Sequence, residues 1–168
     1  MGSSLSDAER SKVRIVLGED VADVPHVLPL VHQMHRESLF SDLPFDQDQF
    51  DKIIGFIRDK PGFNGALYVE YDDQPVAFAY YLFRPFMGSR KSWMTVMHTV
   101  YIRADIRSTP VGGYIWDRIL MAVKAWSVPR GSRGIMFSVT SGIAIDETDT
   151  VLRAGGATHL GGNYILRI

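Results

Sequence analysis

Apolar residues along the chain recur with two different spacings, and each change of spacing marks an element boundary. Val13, Ile15, Val16 and Leu17 form a short β-branched run that Gly18, Glu19 and Asp20 close with turn chemistry, which predicts a first strand. From Pro25 onward the spacing becomes helical: Val27, Leu28, Leu30, Val31 and Met34 share a face, and the stretch 38–44 breaks the pattern. A second helix is predicted over 46–58, with Phe50, Ile53, Ile54 and Ile57 on one side and Lys60, Pro61 and Gly62 as its stop. Residues 66–71 and 75–83 read as two strands joined by a tight turn at Asp72, Asp73 and Gln74, a hairpin.

After a polar loop over 88–92 comes a long strand, Trp93–Ile102; the segment 107–113 then opens an apolar helix carrying Ile115, Trp116, Ile119, Leu120, Val123 and Trp126. A buried-type strand over 135–139, a short helix over 146–153 and a closing strand over 163–168 complete the order β-α-α-β-β-β-α-β-α-β. Strands alternating with helices predict an α/β chain with a mixed sheet covered by helices and a parallel pairing around the central helix. The first twelve residues are expected to be a flexible segment, leaving 13–168 as one domain; there is no repeat, low-complexity tract or linker.

Composition narrows the classes without changing this picture. At 168 residues and 46% hydrophobic, the chain can bury a core without staples. It has no cysteine, which excludes disulfides, thiolate metal sites and a cysteine nucleophile, and the cytoplasm is the expected location. A formal charge of −1 gives no reason to expect nucleic acid or an anionic membrane as partner. The polar start of the chain and the lack of any apolar run near the roughly 18 residues of a span predict a soluble protein.

The chemistry concentrates at 101–113, where a strand runs through a loop with an arginine and a glycine pair into a helix. The first N–H groups of a helix lack internal partners and sit at the positive end of its dipole, so such a junction suits a pyrophosphate. Gly112 and Gly113 would let it approach closely, or would let the helix pack tightly on a strand. Neither a triphosphate loop nor a dinucleotide glycine fingerprint is present.

This segment resembles the coenzyme A site of the GCN5-related N-acetyltransferase (GNAT) superfamily, with its pattern Val-x-Pro-x-x-Arg-x-x-Gly-x-Gly/Ala. Arg107 and Gly112 match outright, Ile102 matches in kind, Ala104 stands for the proline, and Pro110 replaces the first glycine. Proline supplies no N–H to a phosphate, though it suits the first turn of a helix. The resemblance extends in element order from Val13 to Ile168. It implies a mostly antiparallel central sheet flanked by helices, with the strand 94–102 splayed from the strand 135–139 to admit the pantetheine of acetyl-CoA. Its expected contacts are Val100, Tyr101, Ile102, Arg107, Ser108, Thr109, Val111, Gly112 and Gly113.

The resemblance further implies acetyl transfer to the amine of a small molecule or peptide by direct attack in a ternary complex. Such transfer needs an unprotonated nucleophile, a polarised carbonyl and a proton for the departing thiolate. His98, on the central strand nine residues before Arg107, is the candidate base, against a purely structural role as a hydrogen-bonded strand histidine. The family's usual acid, a tyrosine four residues before a glycine, is absent: Val151 stands before Gly155. Tyr164, Ser141 or bulk water remain as proton sources. The acceptor site would be built around 32–46, where His35, Glu37 and Asp42 are candidates and either acid would hold a cationic amine. His32 and His35 have metal-ligand spacing but no evident third ligand, so no metal is expected. The three tryptophans read as core. A homodimer is compatible with the fold. The rival reading is a non-catalytic acyl-CoA-binding or interaction module, favoured by the missing tyrosine and by Pro110; a third is the same fold without a coenzyme site.

Overall fold

In the computed structural model, which describes residues 5–18, 25, 27–87, 89, 91–138 and 141–161, the central strands carry apolar side chains on both faces, so the sheet is covered on both. Strands β1 (Val13–Leu17), β2 (Asn64–Tyr71), β3 (Gln74–Pro85) and β4 (Trp93–Ile102) pair antiparallel in chain order. Strand β5 (Ile135–Phe137) joins β4 in parallel. The helices are α1 (Asp7–Ser11), α2 (Val27–Glu37), α3 (Gln47–Asp59), α4 (Ala104–Arg107), α5 (Pro110–Ser127) and α6 (Ile145–Ala154).

Period-two alternation sorts the core into two layers. Leu67, Val69, Ala79, Tyr81 and Met97 pack with Ile115, Ile119 and Val123 of α5 on one face. Ala66, Tyr68, Phe78 and Tyr101 pack with Val27, Leu30 and Val31 of α2 and Ile57 of α3 on the other. Full burial of Ile115, Ile119 and Val123 contributes roughly 1.5–3 kcal/mol each relative to exposure, which anchors α5. The hairpin turn places Asp72 and Asp73 at φ 55° and 60°, the left-handed geometry that matches strand twist.

Two irregularities shape β4. Tyr80 pairs with Thr99 but Tyr81 with Met97, so His98 is an extra residue in a β-bulge. The bulge changes the alternation: Met97 and Val100 both contribute to the α5 face, while Tyr101 joins the α2 face. The second irregularity is the short partnership with β5, which spans only Thr95, Val96 and Met97 before the strands part. This is the splay that the resemblance implies, between a mostly antiparallel sheet and the parallel strand β5.

Several expectations are adjusted. Where a flexible N-terminal segment is expected, residues 7–11 form α1, because Ser6 and Glu9 make a reciprocal capping box and Arg10 lies 5.8 Å over the Tyr114 ring of α5. The loop after β4 contains the unforeseen short helix α4. Strand β5 ends at Phe137 rather than 139, and residue 139 lies outside the described residues, as does the whole closing strand expected over 163–168. Among the described residues no helix is long and apolar enough to cross a membrane.

Candidate active site

A cavity of about 480 Å³ opens where β4 and β5 part, and its lining comes from both faces of the sheet. On the α5 side the walls are Gly112, Gly113, Trp116 and Asp117, with Phe137, Ser138, Glu147, Thr148 and Val151. On the α2 side they are Val31, Met34, His35, Ser38, Phe40 and Phe45. Residues 97–102 of β4, which lie between the two cores, line it as well.

The expected coenzyme residues divide into two groups. Val100, Tyr101, Ile102, Arg107, Gly112 and Gly113 line the cavity, whereas Ser108, Thr109 and Val111 do not. Thr109 instead caps α5: its hydroxyl accepts from Gly112 N–H at 3.2 Å and donates to the Ile106 carbonyl at 2.7 Å. Pro110 occupies the first helical position, and Gly113 N–H bonds the Thr109 carbonyl at 3.1 Å. The first turn therefore already pairs two of the donors that a phosphate would use, and Pro110 has none. Gly112 is required for packing rather than for an open approach, since a Cβ there would lie 2.3 Å from the Ile106 carbonyl oxygen. A Cβ on Gly113 would meet nothing within 4 Å, which makes Gly113 the glycine that leaves room.

Arg107 and Glu37, assigned from sequence to opposite substrates, are bound to each other. The Arg107 Nη2 lies 2.6 Å from Glu37 Oε2, Arg107 Nε donates to the Ile102 carbonyl at 3.0 Å, and the Tyr101 hydroxyl donates to Glu37 Oε1 at 2.8 Å. Glu37 is the last residue of α2, where a negative charge opposes the helix dipole, so its pairing offsets a local cost. Burial pushes the Glu37 carboxyl up, but the hydrogen bonds from Arg107 and Tyr101 and the guanidinium charge outweigh it and hold the carboxyl below its ordinary value. Burial, followed by the Glu37 carboxylate, pushes the Tyr101 hydroxyl upward, so it stays a donor. Because the folded-state value of Glu37 is depressed, its contribution is present above the ordinary value of 4.5 and is lost as pH falls below it. Glu37→Gln is therefore expected to cost about 1.5–3 kcal/mol at pH 7 and to flatten the acid-side loss of stability, as measured by urea unfolding at pH 7 and pH 4.

Of the other candidates, His98 is exposed into the cavity on the α2 side, its ring 5.6 Å from that of Tyr80 and its Nδ1 3.1 Å from Thr99 Oγ1. Ser141 lines the cavity in the loop after β5, and its carbonyl accepts from Leu39 N–H at 2.9 Å. His35 also lines it, whereas Asp42 is exposed and is not among the lining residues. Tyr164 lies outside the described residues. His32 and His35 both pack against Phe45, at 4.3 and 5.7 Å between ring centres. Trp116 belongs to the core as expected, yet also borders the cavity.

Sequence reading missed Phe40, Phe45, Asp117, Glu147 and Thr148 as lining residues. Glu147 and Thr148 precede Val151 by four and three residues on α6, so helical spacing already placed all three on one face. Phe40 and Phe45 sit in the irregular connection between α2 and α3, inside the 32–46 region expected for the acceptor, where no spacing singles out individual residues.

The sheet of five described strands, with its bulged and splayed central strand and the α4–α5 junction, has the fold of the GNAT acetyltransferases. No protein-family model and no curated protein sequence matches the chain. Among solved structures, an aminoglycoside N-acetyltransferase in complex with CoA is similar over 93% of this chain and 94% of its own, at TM-score 0.67 and 14% identity. A ribosomal-protein-alanine N-acetyltransferase from Brucella melitensis aligns over 93% and 99%, at TM-score 0.61 and 17% identity. An aminoglycoside 6'-N-acetyltransferase from Acinetobacter baumannii aligns over 93% and 97%, at TM-score 0.64 and 11% identity.

Proposed function

We propose that the chain is an N-acetyltransferase that moves the acetyl group of acetyl-CoA to an amine by direct attack in a ternary complex. The observation that carries this reading is the cavity at the β4–β5 gap, whose lining comes from both faces of the sheet and includes His98. Similar folds have been solved with CoA and with a CoA–acetylneamine bisubstrate analogue.

The residues fit a pantetheine arm better than a diphosphate. Beyond Met97 β4 no longer pairs with β5 among the described residues, although the Ile102 carbonyl accepts from Arg107 Nε, and Gly113 leaves the helix start open. A diphosphate would have the Val111 N–H and would compete for Arg107 and for the N–H groups paired with Thr109. Acetyl-CoA supplies an activated thioester. Holding both reactants in attack geometry would itself contribute several kcal/mol. The amine nitrogen forms the C–N bond as the C–S bond breaks; His98 takes the proton lost by nitrogen, and the thiolate takes one from Ser141, Tyr164 or water.

Acetyl-CoA and CoA are each expected to raise the melting temperature, by about 2.7 kcal/mol of added stability at a hundredfold excess over Kd. Thiol release from acetyl-CoA across a panel of amines should follow. Absence of any shift at millimolar acetyl-CoA would overturn the coenzyme site. Tight binding with no thiol release would favour the non-catalytic acyl-CoA module, which Val151 in the usual acid position supports.

A further inference from the structure

The acceptor half of the cavity is walled by Val31, Met34, Phe40, Phe45 and Ile143, with His35, His98, Ser38, Thr99 and Ser141 as uncharged or imidazole polar groups among them. This wall is fixed in place. The Ser38 hydroxyl donates to the His35 carbonyl at 2.8 Å and accepts from Phe40 N–H at 3.1 Å, while Leu39 N–H bonds the Ser141 carbonyl at 2.9 Å. Those contacts tie the end of α2 to the loop after β5 and hold Phe40 at the cavity. Phe45 is held by its ring contacts with His32, His35 and Phe50.

Glu37, the acid at the end of α2, is already engaged. Glu37 accepts from Arg107, from Tyr101 and, at 3.2 Å, from Gln33, so its charge is met by the protein itself. The two acids that do line the cavity, Asp117 and Glu147, belong to α5 and α6, on the coenzyme side of the sheet. Resting on the acetyltransferase reading, we propose that the acceptor is a primary amine on a single aromatic or aliphatic body, and not a polyhydroxylated polycation. An apolar wall gains by covering a ring or chain. It would leave the hydroxyls of an aminosugar without partners and its several charges without counterions.

The test uses the purified chain with saturating acetyl-CoA, comparing 2-phenylethylamine, ethylamine and kanamycin by thiol release. The expected kcat/KM for 2-phenylethylamine exceeds that for each of the others by about 100-fold or more. Kanamycin turning over as well as or better than 2-phenylethylamine would overturn the proposal. Phe45→Ala should raise the KM for 2-phenylethylamine about tenfold or more while leaving the Kd of CoA unchanged. Because Phe45 also supports α2 and α3, Phe40→Ala, in the connection between them, serves as the second variant and should show the same KM effect. If no amine is turned over, the enzyme reading fails by itself, and saturation-transfer NMR on the CoA-saturated chain decides the acceptor class. Saturable binding of 2-phenylethylamine that Phe40→Ala weakens sustains it; no binding, or tighter binding of kanamycin, refutes it.

Discussion

Gly112→Val is expected to lower the melting temperature by about 5–10 °C and to abolish coenzyme binding, while Gly113→Ala melts at or above the parent. The two glycines are adjacent, but their surroundings differ. A Cβ at position 112 would sit 2.3 Å from the Ile106 carbonyl oxygen and 2.6 Å from that of Arg107, and both are backbone atoms that cannot rotate away. The substitution must push α4 and the start of α5 apart, an overpacking that costs about 1–3 kcal/mol or more. At this chain length each kcal/mol shifts the melting point by roughly 2–4 °C. The same displacement breaks the Thr109 cap and moves Arg107, so the coenzyme face of the junction is lost with it. At position 113 the space is open, and alanine improves helix propensity by about 0.8–1 kcal/mol. Because Gly113 lines the cavity, its methyl group should still weaken acetyl-CoA binding in a well-folded protein. Calorimetric melting with acetyl-CoA titration separates the two roles; a Gly112→Val protein that melts like the parent would refute the close approach of α4 and α5.

Much of this arrangement was legible from local pattern. The strand Trp93–Ile102 and the helix 46–58 appear within a residue of their observed limits, because β-branched runs and a clear stop at Lys60, Pro61 and Gly62 are local signals. Pro110 was read as suited to the first turn of a helix, and it starts α5 behind a Thr109 cap. The signal for α1 was also present, in the spacing of Ser6 and Glu9, but its position near the chain start argued for fraying. What was not legible depends on partners distant in sequence. Glu37 and Arg107 are 70 residues apart, so local pattern gives one to the amine and the other to the phosphate, and only the folded chain joins them. The role of Gly112 depends on where the Ile106 and Arg107 carbonyls come to rest. The bulge has no composition of its own: uninterrupted alternation would put His98 on the same face as Val100 and Ile102, whereas one extra residue leaves it beside Tyr80 on the α2 side.

That displacement gives His98→Gln its expected effect, a fall in acetylation rate of about 10²-fold or more, the lower end for general base catalysis. His98 stands at the bulge, exposed to the cavity, with its Nδ1 near Thr99 Oγ1. That contact leaves Nε2 to receive a proton from an amine approaching past Met34 and Phe45, directly or through one water. Glutamine retains similar bulk and a polar group for Thr99 but cannot carry a proton between steps. Since His98 is extra to the β3–β4 register and lies outside the buried core, the replacement should leave the melting temperature and the Kd of CoA unchanged. The pH profile distinguishes a base from a spacer. In the parent, kcat should show an acid-side limb, because only a neutral imidazole accepts a proton. The variant should lose that limb and keep any limb set by ionisation of the acceptor amine. A folded, CoA-binding His98→Gln protein with unchanged rate and profile would make His98 structural and leave positioning, or another base, to carry the transfer.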